Sequence, residues 1–161
     1  MKASRCAPAI AAVVSVLALA TCAPAKYVPI ANEEIYGTWT NLHPSAATPR
    51  FENIVCAPGG YEGYEPVTST TAIQECRWQI TSKWKDPQGN IWYKIFRKNI
   101  GGTFGNLGFS AAELYRLSES ATVLEKVQRA PSSDEEIKNP VYPTVIDPKD
   151  ETYRIFYRAK E

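Results

Sequence analysis

The side chains best suited to bond-making chemistry here are four cysteines and a single histidine, and their spacing decides what they could do. Cys56 and Cys76 form an even pair in the body of the chain. In an oxidising compartment such a pair reads as a disulfide, closing a loop of about 20 residues and worth roughly 3 kcal/mol in the chain-entropy account. A zinc site would need more, because two thiols and one distant imidazole, His43, give no metal-ligand spacing. His43 stands beside Pro44 with no Gly-x-Ser-x-Gly motif near it, which suits a solvated loop histidine better than a general base. The stretch from Gly101 to Gly108 holds four of the nine glycines, yet it lacks the Gly-Lys-Ser/Thr ending and the following helix of a phosphate loop. It reads as a flexible connection. Asp134, Glu135 and Glu136 lack the alternating ligands and turn glycine of a calcium loop, and no pair of carboxylates is singled out for acid–base work. No catalytic residue, metal or cofactor is expected, and the chain reads as a non-enzyme.

The aromatic residues are a better candidate for a binding role. Nine Tyr, five Phe and four Trp are spread over short segments separated by Gly, Pro, Asn and Asp, a texture of strands and turns. Along residues 72–84 the even positions carry Cys76, Trp78, Ile80 and Trp84, while the odd positions from Arg77 onward are polar. That period of two marks a half-buried antiparallel strand. Tyr93 and Ile95 lie on the expected partner strand, residues 91–100, which also carries Trp92 and Phe96. Apolar residues on both of its faces imply that one side meets the core and the other a loop, a partner or a ligand. Trp39, Trp78, Ile80, Trp84, Tyr93 and Ile95 therefore stand as ligand-lining or core residues. The two roles predict the same residue types, since small barrels are commonly filled by their own side chains.

The elements that must position these residues follow from turn chemistry. Strands are expected at 35–42, 50–57, 61–65, 72–84, 91–100, 109–117, 122–128 and 152–158. Asp86-Pro87-Gln88-Gly89-Asn90 joins two of them as a hairpin connection, and Asp147-Pro148-Lys149-Asp150 forms a turn before the last. Residues 130–139 read as a polar surface loop or at most one helical turn. About eight short strands without a long helix give an all-β fold, a single antiparallel up-and-down β-barrel, with a two-sheet sandwich as the alternative. Closure removes the open edges that promote aggregation.

The first 25 residues read as a targeting signal, with Lys2 and Arg5 preceding the uncharged run Ala9 to Ala20. That run is too short for a spanning helix of roughly 20 residues. Leu19-Ala20-Thr21-Cys22 resembles the lipobox of bacterial lipoproteins, which implies cleavage before Cys22 and a lipid anchor on it. Cleavage after Ala20 or after Ala25 also satisfies the small-x-small rule. Residues 26–34 then form a tether, and 35–161 the barrel domain. Loss of Lys2 and Arg5 takes the 18 basic residues to 16 against 17 acids. Such balance leaves no electrostatic footprint for nucleic acid.

Gly37-Thr38-Trp39 resembles the Gly-x-Trp signature that opens lipocalin and wider calycin barrels. The resemblance implies that Trp39 packs across a closed barrel base beneath an arginine near the final strand, either Arg154 or Arg158. The span 35–158 is also similar to a set of small bacterial lipocalin-like exported proteins. Tyr36 to Trp39, Gly89 to Lys94, Tyr142 to Pro148 and Tyr153 to Arg158 carry that similarity. It implies the barrel fold more than an activity; the function expected for such a barrel is an exported, lipid-anchored protein that binds a small apolar ligand. The alternative is a protein-binding envelope component or inhibitor whose barrel core is filled. The membrane would be a partner through the anchor if Cys22 is modified.

Overall fold

The computed structural model describes residues 32–41, 53–64, 69–103 and 106–160. Eight strands follow one another: β1 (Gly37–Thr40), β2 (Asn53–Ala57), β3 (Gly60–Tyr64), β4 (Gln74–Lys85), β5 (Ile91–Gly101), β6 (Ser110–Leu117), β7 (Val123–Arg129) and β8 (Arg154–Arg158). Each pairs antiparallel with the next, and β8 returns to β1 through Trp39–Arg158 and Thr40–Tyr157. The result is a closed up-and-down barrel rather than a two-sheet sandwich. The eight β signals of the sequence correspond to these strands, with ends shifted by a few residues.

One end of the barrel, its base, gathers the starts of β1, β3, β5 and β7 with the ends of β2, β4, β6 and β8. At the other end, the mouth, those roles reverse. Alternation places Ile54, Trp78, Tyr93, Ile95, Tyr115, Leu117, Leu124 and Phe156 inward as one buried cluster with Trp39 and Ile35. Gly60 at the start of β3 must be a glycine, because a Cβ there would lie 2.0 Å from the Cys76 carbonyl oxygen on β4.

The long β4–β5 hairpin carries a bulge that changes its side-chain phase. Ile80 pairs with Ile95, but Ser82 pairs with Lys94, leaving Thr81 as the extra residue. The Thr81 hydroxyl donates to the Lys94 carbonyl (3.1 Å). Beyond the bulge Lys83 takes the register position opposite Tyr93, and Trp84 lies opposite Trp92 on the outer face. This corrects the expectation that Trp84 shares a face with Trp78 and Ile80, since one added residue reverses a period of two.

Between β7 and β8 the chain forms a short helix, α1 (Asp134–Lys138), and then crosses the outside of the sheet. Ser133 caps α1 by accepting from Glu136 N (3.3 Å), while the Glu136 carboxylate accepts from Ser132 N (2.8 Å) and from Arg129. The acidic run thus serves a helix N-terminus. Ile146 and Tyr153 from this crossing segment pack with Trp92, Leu114 and Val127 on the outer face of β5, β6 and β7. A loop therefore covers the second apolar face of β5. No helix among the described residues is long and apolar enough to cross a membrane.

Candidate functional site

The base is closed by the lead-in to β1. Trp39 is wholly buried and its indole N–H donates to the Ile35 carbonyl (2.8 Å). Of the two arginines expected near it, Arg158 is the one over the Trp39 ring, at 4.3 Å from its centroid. Arg158 also donates to three backbone carbonyls, those of Ala121 (2.6 Å), Tyr36 (3.0 Å) and Glu34 (2.6 Å). Gly37 leaves room for this guanidinium: its φ is +133°, and an added Cβ would meet Arg158 Nη1 at 2.8 Å. Arg154 is elsewhere, donating to the Glu151 and Tyr153 carbonyls toward the mouth. Beside the base, Lys83 pairs with Glu33 (2.7 Å) and Glu34 (2.6 Å), and the Tyr93 hydroxyl also reaches Glu34 (3.0 Å). The hydrogen bond from Lys83 holds the Glu34 carboxyl down at about 2.

Trp39, Trp78, Tyr93 and Ile95, expected to line a ligand or fill the core, are all buried in this one cluster, and Ile80 packs against it. Trp84 is 39% exposed and stacks on Trp92, the rings 5.8 Å apart and 10° from parallel. His43 and Cys22 lie outside the described residues.

The expected Cys56–Cys76 disulfide is not formed, and both are buried free thiols. The register gives the reason. Cys56 is opposite Tyr61 on β3, and Tyr61 is in turn opposite Cys76 on β4. Neighbouring strands are about 4.8 Å apart, so a whole strand between the two cysteines separates their Cα atoms by roughly 10 Å. A disulfide tolerates about 7 Å at most. Burial pushes both thiols above the ordinary cysteine range, which leaves them protonated and unreactive.

Above the base the interior changes character. Arg97 on β5, Glu113 on β6 and Lys126 on β7 are all buried and all face inward. Each sits diagonally across from its partner in the ladder: Arg97 is opposite Ala111, two residues from Glu113, and Lys126 is opposite Tyr115, again two from Glu113. Glu113 Oε1 accepts from Arg97 Nε (2.7 Å) and from Lys126 Nζ (3.0 Å), and Oε2 accepts from the Tyr115 hydroxyl (2.8 Å). The rest of the Arg97 guanidinium donates to Asn99 Oδ1 (2.5 Å), Gln128 Oε1 (2.9 Å) and the Cys76 sulfur (3.7 Å). Asn99 Oδ1 also accepts from Cys76 Sγ (3.1 Å) and Gln74 Nε2 (3.3 Å), and Gln74 in turn accepts from the Tyr61 hydroxyl (3.1 Å).

Electrostatics in this space follow from burial and, among the described residues, from two buried cations, Arg97 and Lys126, around the Glu113 carboxylate. Burial alone would raise the Glu113 carboxyl, but Lys126 and Arg97 outweigh it and hold the group below its ordinary value. Burial lowers Lys126, and the charge of Arg97 adds to that lowering against the pull of Glu113. The Lys126 ammonium lies 5.4 Å from the ring centroids of both Tyr61 and Tyr115. Burial raises both of those phenols well above their usual range. Chemically the arrangement offers fixed donors and positive charge toward the mouth, with no thiolate or free carboxylate among them.

This polar interior was missed from the sequence, although the signal was there. Arg97 and Asn99 are in phase with Tyr93 and Ile95, Glu113 with Tyr115 and Leu117, and Lys126 with Leu124. Charged residues in the inward phase of three successive strands are rare enough to notice. No protein-family model matches the chain, and no curated protein or solved structure matches it either.

Proposed function

We propose that the protein is an exported, non-catalytic barrel of lipocalin type, anchored at the cell envelope through a lipidated Cys22, that binds a small, largely apolar molecule near its mouth. One observation carries this reading: the interior is divided. Toward the base it is filled by Trp39, Tyr93, Ile95 and Phe156, and toward the mouth, where Trp78 stands opposite Arg97, it turns polar. Filling the base gives the barrel stability of its own, so the polar groups above need not be there to hold the fold. The seating of Arg158 over Trp39, with Gly37 making room, supports the lipocalin comparison. The test is the mass of the protein purified from its own host, measured under native and denaturing conditions. Extra mass lost on denaturation supports a bound molecule, and the denatured mass reports whether Cys22 carries lipid. Equal masses count against the reading.

A second reading, a protein-binding envelope component or inhibitor acting through its surface, is favoured by the exposed stack of Trp84 on Trp92. It predicts a cross-linked partner from intact cells that is lost in Trp84→Ala.

A further inference from the structure

The outer face of the β4–β5 hairpin joins aromatic rings to cations that have no carboxylate partner. At its foot Trp84, 39% exposed, stacks on Trp92. Above that stack the register sets Ser82 beside Lys94, Gln79 beside Phe96 and Arg77 beside Lys98. Arg77 and Lys98 are exposed, and Lys94 and Phe96 are half-buried. None of the three cations pairs with a carboxylate among the described residues. The segment crossing from α1 to β8 extends the face. Its Tyr142 ring lies 5.7 Å from the Lys94 ammonium, and the Tyr142 hydroxyl accepts from Thr81 (2.9 Å). Val141 beside it and Val145 beyond it are exposed.

Acids bordering this face are engaged or stand at its limit. Asp86 accepts from the Trp92 indole (2.8 Å) and from its own turn, Glu125 is held by Arg116 and the Tyr153 hydroxyl, and Asp147 accepts from Lys149 N (2.9 Å). Glu62 and Glu75 are opposite one another on β3 and β4, on the mouth side of Arg77, and bound the face there. Unpaired cations interleaved with Trp, Tyr and exposed Val suit an anionic surface with apolar matter beneath it. A bilayer interface has that character, and Trp and Tyr concentrate there while Lys stems lie along apolar chains. A second copy of the chain, face to face, would bring the same cations together. The path of the chain points the same way. Asn32 shares a shallow cleft with Glu33, Glu34 and Lys83 at the foot of the hairpin, where Lys83 binds both carboxylates. The ten residues from Cys22 to Asn32 reach at most about 35 Å. A lipid on Cys22 would hold the foot of the hairpin near the bilayer, with Trp84 next to Lys83.

We propose that the outer face of the β4–β5 hairpin docks on an anionic phospholipid bilayer, with Trp84 and Tyr142 at headgroup level and Arg77, Lys94 and Lys98 against lipid phosphates. The proposal rests on the reading of Cys22 as a lipid anchor and adds an orientation to it: the anchor supplies attachment, and this face decides which side of the barrel lies against the membrane. It also assigns the Trp84–Trp92 stack to lipid and not to a partner protein.

The test uses the mature protein from its own host, mixed with vesicles of phosphatidylcholine or of phosphatidylcholine and phosphatidylglycerol at three to one, both carrying bromine-labelled phosphatidylcholine. Bromine quenches indole emission only on close approach. Quenching is expected in the phosphatidylglycerol vesicles and not in the neutral ones, and it should fall as added salt screens the charges. In Trp84→Phe it should be largely lost. In the triple variant Arg77→Gln, Lys94→Gln, Lys98→Gln it should drop to the neutral-vesicle level, since each cation near such a surface contributes about fivefold. These are surface changes, and a melting curve verifies the fold of each variant. Equal quenching in the two vesicle types, or quenching retained in the triple variant, overturns the docking face. Sedimentation with the neutral vesicles reports the anchor separately. Protein that stays in solution there yet docks on phosphatidylglycerol overturns the lipid on Cys22 and upholds the face, whereas protein that sediments without quenching in either vesicle overturns the face and leaves the anchor standing. Absence of quenching together with a cross-linked protein lost in Trp84→Ala overturns the lipid assignment and gives the face to a protein.

Discussion

The base and the upper interior each hold an arginine, half-buried at the base and buried above, and they satisfy it differently. At the base three backbone carbonyls and the face of Trp39 take up the donors and the charge of Arg158, and no carboxylate among the described residues pairs with it. Higher up, Arg97 is bound by a carboxylate and two side-chain amides, and it shares that carboxylate with a second cation. The first arrangement uses groups the fold must present in any case, the ends of strands and turns. The second uses only side chains, each at an inward position that an apolar residue would fill with less desolvation. A barrel can be closed with the first kind alone. The second kind adds charges that closure by itself does not require.

Removing the base should have the largest effect. Trp39→Ala deletes a wholly buried indole together with its bond to Ile35 and the seat of Arg158, and should lower stability by about 4 kcal/mol in urea unfolding. A loss below about 1 kcal/mol would mean that the base does not hold the barrel shut.

Glu113→Gln should follow, at about 3 kcal/mol, because it strands Arg97 and Lys126 without their shared carboxylate. The same residue sets a pH window. The native carboxyl is held below its ordinary value, so its contribution is fully present above about pH 4.3 and is lost as pH falls through the lower native value. Acid unfolding should therefore be less steep in Glu113→Gln than in the unaltered protein. Lys126, also lowered, acts at the other end of the scale. Its folded form is relieved of charge sooner, so stability rises with pH up to about 10.4, and Lys126→Met should flatten that alkaline rise. Parallel curves at both ends would place these charges in water instead of the interior.

The smallest effects belong outside. Trp84→Ala should cost less than about 1 kcal/mol, since it trims a half-exposed stack on Trp92. Trp78→Ala, from the inward side of the same strand, should cost about 3 kcal/mol or more. Equal losses would refute the bulge at Thr81. Iodoacetamide should leave Cys56 and Cys76 unlabelled in the native protein and label both in denaturant without reductant, as mass spectrometry would read. Failure to label in denaturant would mean that the thiols have bonded and that Tyr61 does not lie between them.

Much of this was legible from neighbouring residues alone. Alternation and turn residues mark the strands, and Asp86 to Asn90 marks the β4–β5 hairpin. These patterns are local: a side chain's face depends on its neighbours two residues away, and a turn on its own φ angles. Three features needed the tertiary structure. Cys56 and Cys76 share an inward face yet are held apart by one strand, which depends on the order of strands around the barrel. Trp84 turns outward because pairing with β5 forces a bulge at Thr81, and no pattern within β4 announces it. Arg97, Glu113 and Lys126 come from three strands and meet only once two registers are set. Register is a property of pairs of strands, fixed by packing across the whole barrel, and a single strand's sequence carries only half of it.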